Sequence, residues 1–258
     1  MSIDFELSDS GVATISINRP ERLNAMDADT YDALSEAWVR VRDDDDVRVA
    51  VVTGAGDTSF TVGADIKSFL TADTPPSEFW LTQKSQLLNR GLEVWKPVVA
   101  AVNGYCLGGG MTLLFATDIR IAATHATFGL TEVKRGVFAA NGGTQRLIEN
   151  LPRAIAMELI LLGDQIDAAK AERWGLVNEV VPVQELMDRA HAVAERLAKN
   201  APLAVQASKE LVVRSRDMDL ATGLRMEQAM NKVLKTTYDA EEGPAAFAGK
   251  REPQFEGR

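Results

Sequence analysis

The chain of 258 residues has one cysteine, Cys106, and two histidines, His125 and His191. A single cysteine has no partner for an internal disulfide, so a reducing compartment is expected. The two histidines stand far apart and lack ligand spacing, so no zinc or other metal site is expected. Basic residues are short: Lys and Arg number 28 against 37 Asp and Glu, a formal net charge of −9. An acidic chain without a basic stripe is a poor nucleic-acid binder. No apolar run is long enough to cross a membrane. The opening Met1-Ser2-Ile3-Asp4-Phe5-Glu6 lacks the basic-then-apolar pattern of a secretory leader and the Arg-rich pattern of a transit peptide. The expectation is a cytoplasmic protein. Tandem repeats and low-complexity linkers are also missing. The run Asp43-Asp44-Asp45-Asp46 lacks the spaced ligands and glycine of a calcium loop, and reads as a solvated connection.

What is present suffices for a packed core, because 46% of the residues are hydrophobic. Phe5, Leu7, Val12, Thr14, Ile15 and Ile17 fall in two strand-like runs around Ser8-Asp9-Ser10-Gly11, a hairpin pattern. Asp29-Thr30 reads as the start of a helix whose apolar face holds Leu34, Trp38 and Val41. Strands are predicted over 50–53, 98–102 and 118–122, with helices between them, which indicates an α/β domain. Thr71 to Pro76 reads as a loop, since two prolines block regular structure. Beyond Val183 the pattern is almost wholly helical: 184–199, 202–214 and 220–237, with Pro202 suited to a first helical turn. A boundary is therefore placed at Asn200-Ala201, dividing a core of residues 1–200 from a helical region of residues 201–258.

The stretch from Lys96 to Gly110 carries the most chemical information. Its apolar run, Val98 to Val102, reads as a buried strand, and Asn103-Gly104 ends it. Gly108-Gly109-Gly110 then precedes the helix-like Met111 to Ala116. Glycines let a ligand approach the backbone closely. The first amides of a helix lack internal partners and favour negative charge, which suits them to stabilise an oxyanion. A tight turn that needs glycine for packing is the other reading. Cys106 beside the glycines reads as a small buried hydrophobe.

Three further segments accompany this one: Ile17 to Met26, Thr61-Val62-Gly63-Ala64-Asp65-Ile66-Lys67, and Phe128 to Gly136 followed by Asn141-Gly142-Gly143-Thr144-Gln145-Arg146-Leu147. With these four signatures in this order, from about Phe5 to the end, the chain resembles the enoyl-CoA hydratase/isomerase family, the crotonase superfamily. The resemblance implies an α/β spiral of ββα turns followed by a helical C-terminal region. It also implies trimers, often paired as hexamers. The implied substrate is an acyl-CoA thioester, with coenzyme A part of the substrate and no further cofactor.

By the same resemblance the amides of Ala64 and Gly109 form the oxyanion hole, and Glu132 is the acid/base. Taken alone, Asp65 reads as a helix cap and Glu132 as a solvated surface group. Family hydratases carry a second glutamate two residues after the last of the three glycines; here that position is Thr112. A threonine hydroxyl hydrogen-bonds water but does not deprotonate it at neutral pH. The extra aspartate of dienoyl-CoA isomerases would fall at Ala140. Asn141 either orients water or substrate or caps the helix that follows. Coenzyme A binding is implied for Arg22, Lys67, Phe247 and Lys250, the last two reaching a neighbouring subunit's ligand. Lys67 also reads as a solvated helix residue and Phe247 as core. Arg19 reads as structural. Val62, Phe69, Leu70, Phe79 and Trp80 read as an acyl pocket or as ordinary core. The expected activity is double-bond isomerisation of an enoyl-CoA by a single glutamate. The alternatives are a hydratase with an atypical second position and a non-catalytic acyl-CoA-binding homologue.

Overall fold

The computed structural model describes residues 1–69 and 86–258. The expected hairpin is formed by β1 (Ile3–Leu7) and β2 (Val12–Ile17), which pair antiparallel. Gly11 closes it with φ +79, and its N–H donates to the Ser8 carbonyl at 3.0 Å. After β2 comes α1 (Ala28–Asp43), then β3 (Val49–Gly54), β4 (Ser59–Thr61) and α2 (Ile66–Phe69). The next turn of chain is β5 (Val98–Val102), β6 (Tyr105–Leu107) and α3 (Gly109–Leu114). A third turn begins with β7 (Ile119–Ala123) and β8 (Thr127–Gly129), and leads through a short 3-10 turn, Glu132–Arg135, to α4 (Gly143–Asn150). α5 (Arg153–Leu162), β9 (Gln165–Asp167), α6 (Ala168–Arg173) and β10 (Glu179–Val181) complete the winding.

Each turn lays one strand in a larger sheet and the next in a smaller one, and then adds helix. The larger sheet has the order β1-β2-β3-β5-β7-β10 and the smaller one β4-β6-β8-β9. From β2 to β10 every pairing in the larger sheet is parallel. That requires both faces to be covered, and every residue of β3 and β5 is buried. Alternate residues divide between two cores, as a period of two demands. Val49, Val51, Val99 and Ala101 face α7 (Val183–Ala198), whose Leu186, Ala190 and Ala194 let the helix sit close. Ala50, Val52, Ala100 and Val102 face the other way, into the core that holds Leu34 and Trp38 of α1. Burying one such valine contributes on the order of 1.5–3 kcal/mol.

The sequence places α1 two residues late. Asp27 is the cap: its carboxylate accepts from the Thr30 amide at 3.0 Å and pairs with Arg19 at 2.9 Å. Asp27 and Asp29 are equally good caps by type, and the distant Arg19 selects between them.

The C-terminal helices are α8 (Pro202–Arg214), α9 (Leu220–Leu234) and α10 (Tyr238–Ala248). Neither α8 nor α9 buries a residue. Val212, Leu220 and Val233 stand 69%, 78% and 66% exposed. Phe247 is 87% exposed, so the reading of it as core is wrong. Its helix places it on the outer side, whereas Ala246 one position earlier is buried. The final residues fold back on α10, where Asp239 accepts from the amides of Glu256 and Gly257.

Candidate active site

A tight approach of two backbones builds the site. The end of β4 and the end of β6 lie side by side, so Gly63 and Gly109 touch. A methyl group on Gly63 would stand 2.5 Å from the Gly109 nitrogen. One on Gly109 would meet Gly63 Cα at 3.0 Å and the Ala64 nitrogen at 3.6 Å. Only glycine permits this contact, and it brings the Ala64 and Gly109 amides next to each other. Neither N–H donates to an acceptor among the described residues. Met26 holds the strand behind them, donating to the Gly63 carbonyl and accepting from the Asp65 amide, each at 2.8 Å. Asp65 caps α2, accepting from the Lys67 amide at 3.2 Å. Capping and a free Ala64 amide therefore coexist.

Glu132 enters from the 3-10 turn after β8. A methyl on Gly108 would lie 3.4 Å from Glu132 Oε1, so the carboxylate faces the glycine turn that ends in the Gly109 amide. Glu132 Oε2 is buried and has no partner among the described residues. Loss of water pushes the carboxyl above the ordinary glutamate range, partly offset by hydrogen bonding to its own amide and by the Arg135 charge. A carboxyl raised in this way is suited to take and return a proton.

Thr112 lies on the first turn of α3 and is buried. Its hydroxyl donates to the Gly109 carbonyl at 3.0 Å and accepts from Asn89 Nδ2 at 2.8 Å. Asn89 is absent from any sequence motif; a lone asparagine between leucines and an arginine carries no signal that it will meet residue 112. Tyr31, from α1, is a second group that sequence reasoning missed. Its hydroxyl would touch a methyl on Gly109 at 3.3 Å. Burial pushes the phenol up to about 12, against a lowering from Arg90, so it stays protonated at neutral pH.

These contacts assemble one constellation of two unpaired amides, one desolvated carboxylate and a buried Thr-Asn pair. A family model for enoyl-CoA hydratase/isomerase matches residues 8–258. The chain belongs to this family, the crotonase superfamily. It is 43% identical to the (E)-benzylidenesuccinyl-CoA hydratase of Thauera aromatica over all of both chains. It is 40% identical to the carnitinyl-CoA dehydratase of Salmonella arizonae, again over all of both. The crystal structure of an enoyl-CoA hydratase from Bacillus anthracis matches the whole fold with a TM-score of 0.92 at 35% identity, covering 100% of each chain. The protein is thus a crotonase-fold enzyme of acyl-CoA chemistry, with the helical C-terminal region of that fold.

The remaining expected residues of this family member lie further out. Arg22 ends the exposed 3-10 turn Pro20–Arg22, and Lys67 is exposed on α2. Arg19 is structural, as expected: it pairs with Asp27 and donates to the Ala25 carbonyl at 2.6 Å. Asn141 is exposed with φ +54 and does not cap α4; the cap position is Gly142, with φ +81 and no side-chain bond. With Gly142 at the cap position and no side-chain bond to the helix amides, the capping reading of Asn141 fails. Lys250 follows α10 with φ +50, and with Phe247 it is exposed. Ala140 supplies no carboxylate. Of the expected acyl-pocket group, Val62 is half-buried; Leu70, Phe79 and Trp80, like the Thr71–Pro76 loop, lie outside the described residues, as does the side chain of Phe69. Cys106 is buried, with its thiol pushed up by burial, as a small core residue should be.

Proposed function

We propose that this chain forms a thioester enolate from an enoyl-CoA and moves the proton with Glu132 alone, isomerising the double bond. The observation that carries the reading is a single desolvated carboxylate among the described residues, beside two unpaired amides, with Thr112 where family hydratases have a second glutamate. Glu132 takes a proton from C2 of a 3-enoyl-CoA. The electron pair spreads to the thioester oxygen, which accepts hydrogen bonds from Ala64 and Gly109. The protonated Glu132 then returns the proton at C4, leaving a 2-enoyl-CoA. Each preorganised amide of this kind lowers a barrier by roughly 2.7–4 kcal/mol. Incubation with paired 3-enoyl- and 2-enoyl-CoAs, with product identification, tests this. Appearance of the conjugated isomer supports it, and turnover confined to other chemistry rejects it.

Hydration or dehydration of an acyl-CoA is the second reading. It is favoured by the names of the two full-length relatives, one a hydratase and one a dehydratase. A non-catalytic acyl-CoA-binding role is the least favoured, because a binding protein has no use for a desolvated carboxylate.

Coenzyme A enters as part of the substrate, and its phosphates are assigned to Arg22, Lys67 and Lys250, with Phe247 against the nucleotide and Asn141 near the acyl end. Lys67→Ala and Lys250→Ala are each expected to weaken coenzyme A binding and to flatten its salt dependence, since exposed phosphate contacts are screened. Titration calorimetry at two salt concentrations reads this; parental binding in both variants removes the assignment.

The division at Asn200-Ala201 is proposed to separate a catalytic core from an assembling region. The bare apolar positions on α8 and α9 exceed what an isolated monomer normally exposes. A homotrimer or hexamer is the expected state, and sedimentation at micromolar concentration is expected to show no stable monomer. No described helix is long and apolar enough to cross a membrane, and a cytoplasmic location is part of the same proposal.

A further inference from the structure

Four buried side-chain polar atoms have no hydrogen-bond partner among the described residues, and two of them, Glu132 Oε2 and Asn89 Oδ1, flank one turn of backbone. Glu132 lies against Gly108, with 3.4 Å from its Oε1 to a methyl placed there. Thr112 follows one helical turn later, its amide donating to the Gly108 carbonyl at 3.2 Å. Asn89 Nδ2 donates to Thr112 Oγ1 at 2.8 Å, which fixes the amide plane and leaves Oδ1 unpaired. Asn89 itself is 8% exposed, and its main-chain carbonyl is clamped by Arg146 at 3.1 Å. Thr112 Oγ1 already donates its proton to the Gly109 carbonyl and accepts from Asn89, so it is satisfied within the protein, whereas Asn89 Oδ1 is not. Native proteins rarely leave a buried acceptor unpaired, and an orphan calls for a donor that arrives with function.

We propose that Asn89 is a positioning residue for reversible hydration: its side-chain carbonyl and the Glu132 carboxylate together hold an O–H donor, either water or the hydroxyl of a 3-hydroxyacyl-CoA. The proposal rests on the placement of Glu132 and the two amides argued above, and it supplies what the second reading lacks. A carboxamide takes no proton, so Asn89 orients and Glu132 does the acid/base work. In the forward direction the water oxygen bonds to C3 of a 2-enoyl-CoA as its proton passes to Glu132. The double-bond pair moves onto C2 and the thioester oxygen, held by Ala64 and Gly109. Glu132 then gives the proton to C2, so one water adds across C2 and C3 and nothing else is consumed. The reverse sequence dehydrates.

The test compares Asn89→Leu, which fills the space without an acceptor, with Asn89→Asp, which keeps an oxygen at the Oδ1 position. Two rates are measured on the full chain: hydration across a panel of 2-enoyl-CoAs, and exchange of the C2 proton of saturated acyl-CoAs in deuterium oxide. Exchange needs Glu132 and the amides but no water nucleophile. In Asn89→Leu the ratio of hydration to exchange is expected to fall by roughly 10–10²-fold, the scale of a misplaced reactant, and Asn89→Asp is expected to restore most of it. If Asn89→Leu does not fold by its melting curve, Asn89→Ala is read in its place. Equal loss of both rates, with Asp no better than Leu, marks a structural role and overturns the proposal. A parent that exchanges but does not hydrate overturns it while leaving Glu132 in place. A parent that does neither removes Glu132 as the base, and the proposal with it.

Discussion

Glu132→Gln is expected to lower turnover by about 10²–10⁴-fold, the range for loss of a positioned acid/base. The substitution keeps the shape of the side chain and removes its basicity. It also carries a second signature that a surface glutamate would lack. Burial raises the Glu132 carboxyl above its ordinary value. The folded chain therefore holds this proton more tightly than the unfolded chain. The resulting stability is present in full below the unfolded value, about 4.3, and is lost as pH rises through the raised folded value. Glutamine never ionises. Glu132→Gln is therefore expected to melt above the parent at neutral pH, with the difference closing as pH falls below about 4.3. Proton abstraction by the parent should gain rate as pH rises through the same raised value. An inactive variant with parental pH-stability behaviour would mean that the carboxylate is solvated and acts in some other way.

The sequence pattern was informative where local rules and burial agree. The strand at Val98–Val102, the hairpin at Ser8–Gly11 and the start of α8 at Pro202 follow from β-branched runs, a turn glycine and a first-turn proline. The fold and the family were legible because four signatures keep their order, and Gly63 and Gly109 sit where two backbones must touch. Other features depend on contacts that no local window contains. Asp27 prevails over Asp29 as the α1 cap through Arg19. Asn89 meets Thr112 only because the chain between them winds through β5 and β6. Phe247 looks like core by type and helical spacing, yet α10 turns it outward. Thr112 was legible as a departure, but its hydroxyl's commitment to Gly109 and Asn89 was not. That commitment explains why a threonine is tolerated there: it is satisfied within the protein instead of waiting for substrate.

Gly63→Ala is expected to be the most damaging single-methyl change in the site. Its backbone has φ +87, where a side chain costs roughly 1–2 kcal/mol. The added methyl would also stand 2.5 Å from the Gly109 nitrogen and 3.1 Å from the Leu107 carbonyl oxygen, so backbone has to move. The nitrogen it displaces is one proposed oxyanion donor, Gly109, and the peptide that Gly63 itself forms with the next residue carries the other, the Ala64 N–H. Loss of one such donor lowers turnover by about 10²–10³-fold, and disturbing both should cost at least that. A matched control separates chemistry from backbone strain. Gly175 has φ +76 and no neighbour within 4 Å of an added methyl. Gly175→Ala is therefore expected to lower the melting temperature through the backbone alone and to keep parental turnover. Melting curves and kcat/KM on the same enoyl-CoA, measured side by side, give the answer. If Gly63→Ala folds and retains turnover within a few-fold of Gly175→Ala, the Ala64 and Gly109 amides are not the groups that hold the thioester oxygen.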